Sequence, residues 1–277
     1  MNLWQAVILG IVEGLTEFLP VSSTGHLTVV EKLLGLQVAD AGVTAFTAII
    51  QVGAIVACVV YFWHDIVRLA AAWFRGLANT DARDHNYRLA WYVILGSIPI
   101  GLVGFLGRHI ISGSLRNLWV VVAAWIGWSI AMMAAERLGN QKRHEQDVTL
   151  QDALIVGLVQ CIALIPGVSR SGATISAGLT LGIDRVTATR MSFFLAIPAL
   201  LAAGSFEAAT GAGAIASTVG WLPTIVATLV SLVVAYVSIA WLLRFVAHHR
   251  LTAFVGYRVA AGLLVAALLG FGLITAT

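Results

Sequence analysis

The chain has 277 residues, of which 60% are hydrophobic and 10% charged, with a formal net charge of +3. Ordinary soluble domains carry about 25% charged residues, so a water-soluble globular enzyme is excluded and an integral membrane protein is expected. The small positive charge forms no basic stripe and comes with no base-reading motif, which excludes a nucleic-acid partner.

In chain order, the first predicted element is an interrupted one over 3–35: an apolar helical run, a polar break, then a short second run from His26 to Leu34. No basic segment with a small-residue cleavage site opens the chain, so no signal peptide is expected and the first helix itself directs insertion. Three uninterrupted spans follow at about 42–63, 88–107 and 118–137. A second interrupted element covers 151–184, and three more spans cover about 190–211, 221–244 and 253–275. Each uninterrupted span reaches the roughly 20 apolar residues that cross a bilayer. The broken elements are expected as re-entrant helix–loop–helix hairpins, because irregular backbone at membrane depth is tolerated only inside protein or beside water.

The two broken elements are degenerate copies. A shift of 147 aligns Gly10 with Gly157, Glu13 with Gln160, Ser22 with Ser169, Ser23 with Arg170 and Gly25 with Gly172, while Pro20 and Pro166 miss by one position. One hairpin and three spans make an odd number of crossings, so the second copy is inverted relative to the first. The expected fold class is therefore all-α integral membrane, with six transmembrane helices plus two re-entrant hairpins in an inverted-topology repeat. It is expected as a single domain over 1–277, with halves 1–140 and 148–277.

Loop charge sets the orientation. The loops near 64–88, 137–152, 183–190 and 244–252 hold eleven basic residues, against Lys32, Arg108 and Arg116 on the opposite face. The positive-inside rule makes the eleven-residue face cytoplasmic and places both termini, with the mouth of the first hairpin, outside.

Glu13 and Glu17 lie four apart on one helical face, just before the run Pro20-Val-Ser22-Ser23-Thr24-Gly-His26. Ionisable groups inside a membrane segment are costly and mark function by default. The two carboxylates suit a divalent cation, or one of them a general base. Ser22, Ser23 and Thr24 either cap the helix beginning near Gly25 or supply a nucleophile beside the His26 imidazole. In the second copy Arg170 stands among Ser169, Ser171, Gly172 and Thr174. A guanidinium there needs an anion, and its planar fork matches phosphate oxygens at a helix N-terminus. The two breaks together form a phosphoryl-transfer set.

Other polar residues read more plainly. Gln51, in the middle of the first span, bonds either to the site or to a neighbouring helix. Glu207 is expected to be hydrated at a span end. Tyr257 and Arg258 are expected to snorkel and anchor at the cytoplasmic interface, and His248 and His249 to sit in a solvated basic loop. The tryptophans near span ends (Trp63, Trp91, Trp119, Trp221) form an interface belt. Cys58 and Cys161 are expected as buried packing residues rather than a disulfide or metal pair.

The segments Glu13–His26 and Pro166–Thr174 closely resemble the signatures of the bacterial undecaprenyl-diphosphate phosphatase family, also called the bacitracin-resistance protein family, and the likeness extends over nearly the whole chain. The resemblance implies hydrolysis of undecaprenyl diphosphate, a C55 isoprenoid diphosphate, to its monophosphate and inorganic phosphate, which recycles the cell-wall lipid carrier. It implies a divalent cation, Mg²⁺ or Ca²⁺, and a place in the bacterial plasma (inner) membrane with the active site opening to the outer, periplasmic side. On this reading Glu17, Ser23, His26 and Arg170 are catalytic. Glu13, Ser22, Thr24, Gln51, Ser169, Ser171, Gly172 and Thr174 contact substrate, and Glu13 with Glu17 holds the cation. The nucleophile is left open among Ser23, assisted by His26, His26 itself and a cation-held water. A homodimer is left open as a partner. The rival function is a transporter or flippase of the isoprenoid phosphate, since inverted repeats with broken midplane helices are the transporter plan.

Overall fold

The computed structural model describes residues 1–112, 115 and 117–276, so Arg116, counted above among the outer-face charges, lies outside the described residues. A capping box starts α1 (Leu3–Thr16): the Asn2 side chain accepts from the Gln5 amide, and the Gln5 side chain accepts from the Asn2 amide. The same device starts α7 (Leu150–Gln160), where Thr149 and Asp152 occupy the positions 147 residues on. Between them run α2 (Ser23–Leu33), α3 (Ala41–Tyr61), α4 (Trp63–Ala78), α5 (His85–Ser112) and α6 (Leu118–Leu138). After them come α8 (Arg170–Thr180), α9 (Arg185–Ala214), α10 (Trp221–His248) and α11 (Thr252–Gly270). Among the described residues, six helices are long and apolar enough to cross a bilayer: α3, α5, α6, α9, α10 and α11. They coincide with the six expected spans. This is an all-α integral membrane protein.

Helix α4 replaces most of the basic loop expected over 64–88. Leu69, Ala72 and Gly76 form its narrow buried stripe, whereas Val67, Phe74 and Leu77 on its other faces are exposed. Arg68 and Arg75 interrupt its apolar run in the sequence, and the pattern is amphipathic rather than uniformly apolar.

Hydrogen bonds identify the two ends of the molecule. At one end Arg190 pairs with Asp65 at 3.1 Å and Glu145 at 3.4 Å, Arg68 pairs with Asp65 at 2.8 Å, and Glu136 accepts from Arg185 and from the Leu251 amide. The four loops carrying eleven basic residues therefore gather together. At the opposite end the Met1 amino group donates to the Val219 carbonyl, Lys32 Nζ to Thr275 Oγ1, and the Leu118 amide to the Ala276 carbonyl.

Each interrupted element starts and finishes at one end. Gln5 Nε2 on α1 donates to the Leu34 carbonyl after α2 at 3.1 Å. Arg143 Nη1 joins Asp152 on α7 to the Leu181 carbonyl after α8, both at 2.9 Å. Leu34 and Leu181 are again 147 apart, and each precedes a glycine with positive φ, Gly35 at 72° and Gly182 at 82°.

Small residues bring the helices into backbone contact, as is usual in membrane bundles. A Cβ at Gly10 would lie 2.5 Å from the Ala227 carbonyl oxygen, which explains how α1 nests on α10. Gly157 similarly faces the Gly96 carbonyl, seating α7 on α5. The first break itself is buried: Phe18, Leu19 and Val21 join Phe62, Met132 and Phe193 in the main apolar cluster.

Candidate functional site

Helix α1 ends at Thr16 and α2 begins at Ser23, so residues 17–22 cross between two helix ends within the protein core. Ser22 caps α2 with its Oγ accepting from the Gly25 amide, at φ 75° and ψ 101°. A non-glycine residue in that region carries strain of about 1–3 kcal/mol. The strained cap makes Ser23 the first helical residue, and its Oγ donates to Glu17 Oε2 at 2.6 Å. Gln51 Nε2, from α3, donates to the same carboxylate oxygen at 3.1 Å. Gln51 thus bonds to the carboxylate at the end of α1. One turn earlier Glu13 is buried, and among the described residues its Oε1 has no hydrogen-bond partner.

The second break repeats this backbone. Ser169 caps α8 at φ 76° and ψ 119°, its Oγ accepting from the Gly172 amide at 3.1 Å and lying 3.2 Å from Ser171 Oγ. Arg170 follows as the first helical residue, in the place Ser23 holds in the first copy. Its Nη1 donates to the Ser192 carbonyl at 3.0 Å and its Nη2 reaches Glu17 Oε1 at 3.4 Å. Its Nε is buried with no partner among the described residues, so its N–H is free to meet an anion. Thr174 donates to Ser192 Oγ at 2.7 Å, and Ser171 donates to the Leu19 carbonyl at 2.9 Å, joining the two breaks directly. Gln160, the counterpart of Glu13, is fully buried as well.

Arg258 overturns the interface reading given to it. It is completely buried, and its guanidinium donates to the carbonyls of Pro20 (3.2 Å), Ala124 (3.1 Å) and Gly167 (3.0 Å), and to Ser129 Oγ (3.3 Å). Pro20 and Gly167 belong to opposite breaks, so one side chain from α11 clasps both tips against α6. Arg258 does not snorkel because these carbonyls, set 238 and 91 residues away in sequence, satisfy its donors inside the protein. Its neighbour Tyr257 is not simply an interface anchor: the hydroxyl lies 2.7 Å from His26 Nε2. His26 Nδ1 lies 2.7 Å from the Ser22 carbonyl, and the ring stacks on Tyr257 with centroids 5.6 Å apart. Both imidazole nitrogens are thus engaged away from Ser23, whose hydroxyl turns to Glu17.

Beside Glu17 opens a chamber of about 210 Å³, lined by Glu13, Ser23, Thr24, Thr28, Glu31, Gln51 and Glu207 together with residues of α3. Glu207 lines it rather than only meeting bulk water, and Glu31 is buried. Neither is flagged by the repeat, since the residues 147 positions from them carry no acid. Carboxylate and hydroxyl oxygens are the hard donors that Mg²⁺ and Ca²⁺ prefer, and the orphaned Glu13 Oε1 offers one. Among the described residues no three His, Cys, Asp or Glu side chains are grouped to hold an ion by themselves. The residues present therefore fit a cation held by one or two carboxylates and completed by water or substrate.

A family model described as bacitracin resistance protein BacA matches residues 6–264. The chain belongs to that family. Among its relatives in the BacA family, undecaprenyl-diphosphatase 3 of Frankia casuarinae is 58% identical over 278 residues, covering 100% of both chains. Undecaprenyl-diphosphatase of Cutibacterium acnes is 54% identical over 284 residues and that of Acidothermus cellulolyticus 56% identical over 277, each again covering 100% of both chains.

Proposed function

We propose that this BacA-family protein is an undecaprenyl-diphosphate phosphatase, a phosphoric-anhydride hydrolase that returns the lipid carrier of cell-wall synthesis to its monophosphate and lends bacitracin resistance. The observation that carries the reading is one carboxylate, Glu17, meeting a hydroxyl from one tip at 2.6 Å and a guanidinium from the other at 3.4 Å. The full-length identity to relatives named undecaprenyl-diphosphatase supports the substrate.

In the proposed reaction Ser23 Oγ attacks the terminal phosphorus while Glu17 takes its proton. The Oγ–P bond forms and the bond from phosphorus to the bridging oxygen breaks, releasing the lipid monophosphate. Water then attacks the phosphoserine, the Oγ–P bond breaks, inorganic phosphate departs and Glu17 returns the proton to Ser23. Arg170, with its unpartnered Nε, neutralises charge on the phosphate oxygens, aided by the amide ends of α2 and α8. Ser169, Ser171 and Thr174 hold Arg170 and its loop in place, Ser22 and Gly172 shape the two caps, and Thr24 faces the substrate from the chamber. His26, fixed by the Ser22 carbonyl and Tyr257, orients the turn that carries Ser23. A Mg²⁺ or Ca²⁺ ion at Glu13 and Glu17 would supply further neutralisation of the diphosphate.

The placement proposed with this chemistry is a single membrane domain whose halves, 1–140 and 148–277, form an inverted repeat. Its two interrupted elements are re-entrant hairpins from opposite faces, and the site opens to the outer side of the bacterial plasma membrane. The shared 147-residue spacing of caps, closing carbonyls and glycines supports this arrangement, as does the gathering of basic loops at one end.

The test is phosphate release from undecaprenyl diphosphate by purified protein in detergent, with rapid quenching to map label on Ser23. Release with label on Ser23 is expected. Lipid movement across liposomes without release in detergent would support the transporter instead.

A further inference from the structure

A second open space lies on the flank of the bundle, between α6 and α11. It has a volume of about 370 Å³ and shares no lining residue with the chamber beside Glu17. Ile126, Ile130, Ala134 and Arg137 form one wall, and their spacing of four, four and three places them on a single face of α6. Val255 and Val259 of α11, also four apart, form the other wall. Ile130 is 71% exposed, so the groove opens sideways to the membrane rather than into the protein. From Ile126 to Arg137 the helix rises about 16 Å. That is half the depth of a hydrocarbon core of roughly 30 Å, or one leaflet.

Arg137 closes the groove at the end where the basic loops gather, and it is exposed. At that end Arg68, Arg143, Arg185 and Arg190 all pair with carboxylates. The Arg137 side chain has no ion pair or hydrogen bond among the described residues. The adjacent acid, Glu136, is turned to Arg185 and to the Leu251 amide instead. An unpaired guanidinium at the mouth of an apolar slot matches a head-group phosphate above an acyl chain, because its planar fork takes phosphate oxygens in pairs. Basic pockets between membrane helices hold anionic lipid head groups by this chemistry. On the diphosphatase reading the isoprenoid's phosphates sit at Arg170, so the cation at this groove answers a different lipid.

We propose that the α6–α11 groove holds a diacyl phospholipid with an anionic head group, of the phosphatidylglycerol class. One acyl chain lies between the two walls, and the phosphate meets Arg137. The back of the groove also supports the arginine clasp. Ser129, which lines it, accepts from Arg258 Nε at 3.3 Å and donates to the Trp125 carbonyl at 2.6 Å. Val259, on the opposite wall, follows Arg258 directly in the chain. An acyl chain seated there fills the gap beside the guanidinium that binds Pro20 and Gly167. The bound lipid therefore steadies the clasp and, through it, both tips. The binding stands apart from the diphosphatase reading; its effect on turnover rests on that reading.

The experiment is native mass spectrometry of delipidated full-length protein in detergent, titrated with phosphatidylglycerol or phosphatidylcholine of identical acyl chains. Wild type is expected to bind phosphatidylglycerol more tightly. Arg137→Gln, at an exposed and unpaired position, should erase that preference by weakening phosphatidylglycerol roughly tenfold. Ala134→Trp keeps the charge but fills the slot, and should weaken both lipids. In nanodiscs, wild-type phosphate release should be several-fold faster in phosphatidylglycerol, and Arg137→Gln should lose the difference. Equal phosphatidylglycerol binding by wild type and both variants would overturn the proposal. Displacement of the lipid by stoichiometric undecaprenyl phosphate would also overturn it, by making the groove a seat for the isoprenoid tail. Loss of a dimer in Ala134→Trp with lipid binding intact would overturn it in favour of an interface between copies. Equal wild-type release in the two lipids would overturn the effect on the clasp. Phosphatidylglycerol binding with no phosphate release in either lipid would leave the groove standing and sink the diphosphatase reading.

Discussion

The two interrupted elements share a backbone and differ in the polar side chains that they present. In both, a serine at φ 75° or 76° caps a short helix by accepting from the amide three residues on. In both, the element opens with a capping box and closes at a leucine carbonyl 147 residues from its counterpart. Yet the residue that the strained cap presents is a hydroxyl in one copy, Ser23, and a guanidinium in the other, Arg170. Glu13 is matched by Gln160, so the carboxylate side of the site also belongs to one copy. A strained cap is a costly way to start a helix. Keeping it twice points to what the two tips have in common: each must present one side chain at the same buried meeting point.

The largest expected effects break this division of labour. Ser23→Ala and Arg170→Ala should each lower phosphate release by on the order of 10³-fold or more, the scale of losing a nucleophile or a charge-stabilising arginine. Near-normal turnover in either variant would remove its tip from the chemistry. Next comes the clasp holding the tips together. Arg258→Gln strands the Pro20 and Gly167 carbonyls, each at about 1–3 kcal/mol, so it should lower thermal stability measurably. It should also cut turnover by roughly 10²-fold through misplacement of the facing groups. Activity measured on the folded fraction separates the two effects.

Tyr257→Phe tests the orienting bond on the first tip alone. Losing one neutral hydrogen bond is worth about 1 kcal/mol, so a rate decrease under tenfold is expected, much smaller than for Ser23→Ala. A loss equal to that of Ser23→Ala would make His26 a chemical participant rather than a positioning residue.

The smallest effect concerns the loop after the second tip. Asp184 caps α9 by accepting from the Val186 and Thr187 amides, and His144 lies 2.9 Å from its other oxygen. Burial pushes this carboxyl up, but the bonds from Thr187 and His144 outweigh it and hold it below the usual carboxylate range. A carboxyl lowered on folding stabilises the protein above its unfolded pKa, about 3.9, and that contribution fades as pH falls through the folded value. Asp184→Ala should therefore cost about 1 kcal/mol at pH 7, with the gap to wild type narrowing below about pH 4. A thermal-melt series across pH checks this.

Much of this arrangement is written locally. Chain composition and run length determine six crossings, and the 147-residue self-similarity determines two matched breaks. The residues at those breaks, Glu13, Glu17, Ser23 and Arg170, are legible because each stands within a few positions of a Pro/Ser/Gly signal in an otherwise apolar chain. The members of the site that come from elsewhere are different. Gln51, Glu207 and Arg258 are single polar residues in ordinary-looking spans, where a hydrated or snorkelling side chain is the simplest local reading. Their partners lie tens to hundreds of residues away: Gln51 meets Glu17 across 34 residues, Arg258 meets Pro20 across 238. Helix α4 escaped for a related reason, since its apolar stripe acquires meaning only against the elements that cover it. By itself the sequence determined the membrane class, the self-similarity of the two breaks and the different polar side chains that each of them carries. Only the tertiary structure decided which hydroxyl faces which carboxylate, that His26 turns towards Tyr257, and that a buried arginine clasps both tips. Those outcomes depend on burial and distance between segments remote in sequence, and no local pattern encodes them.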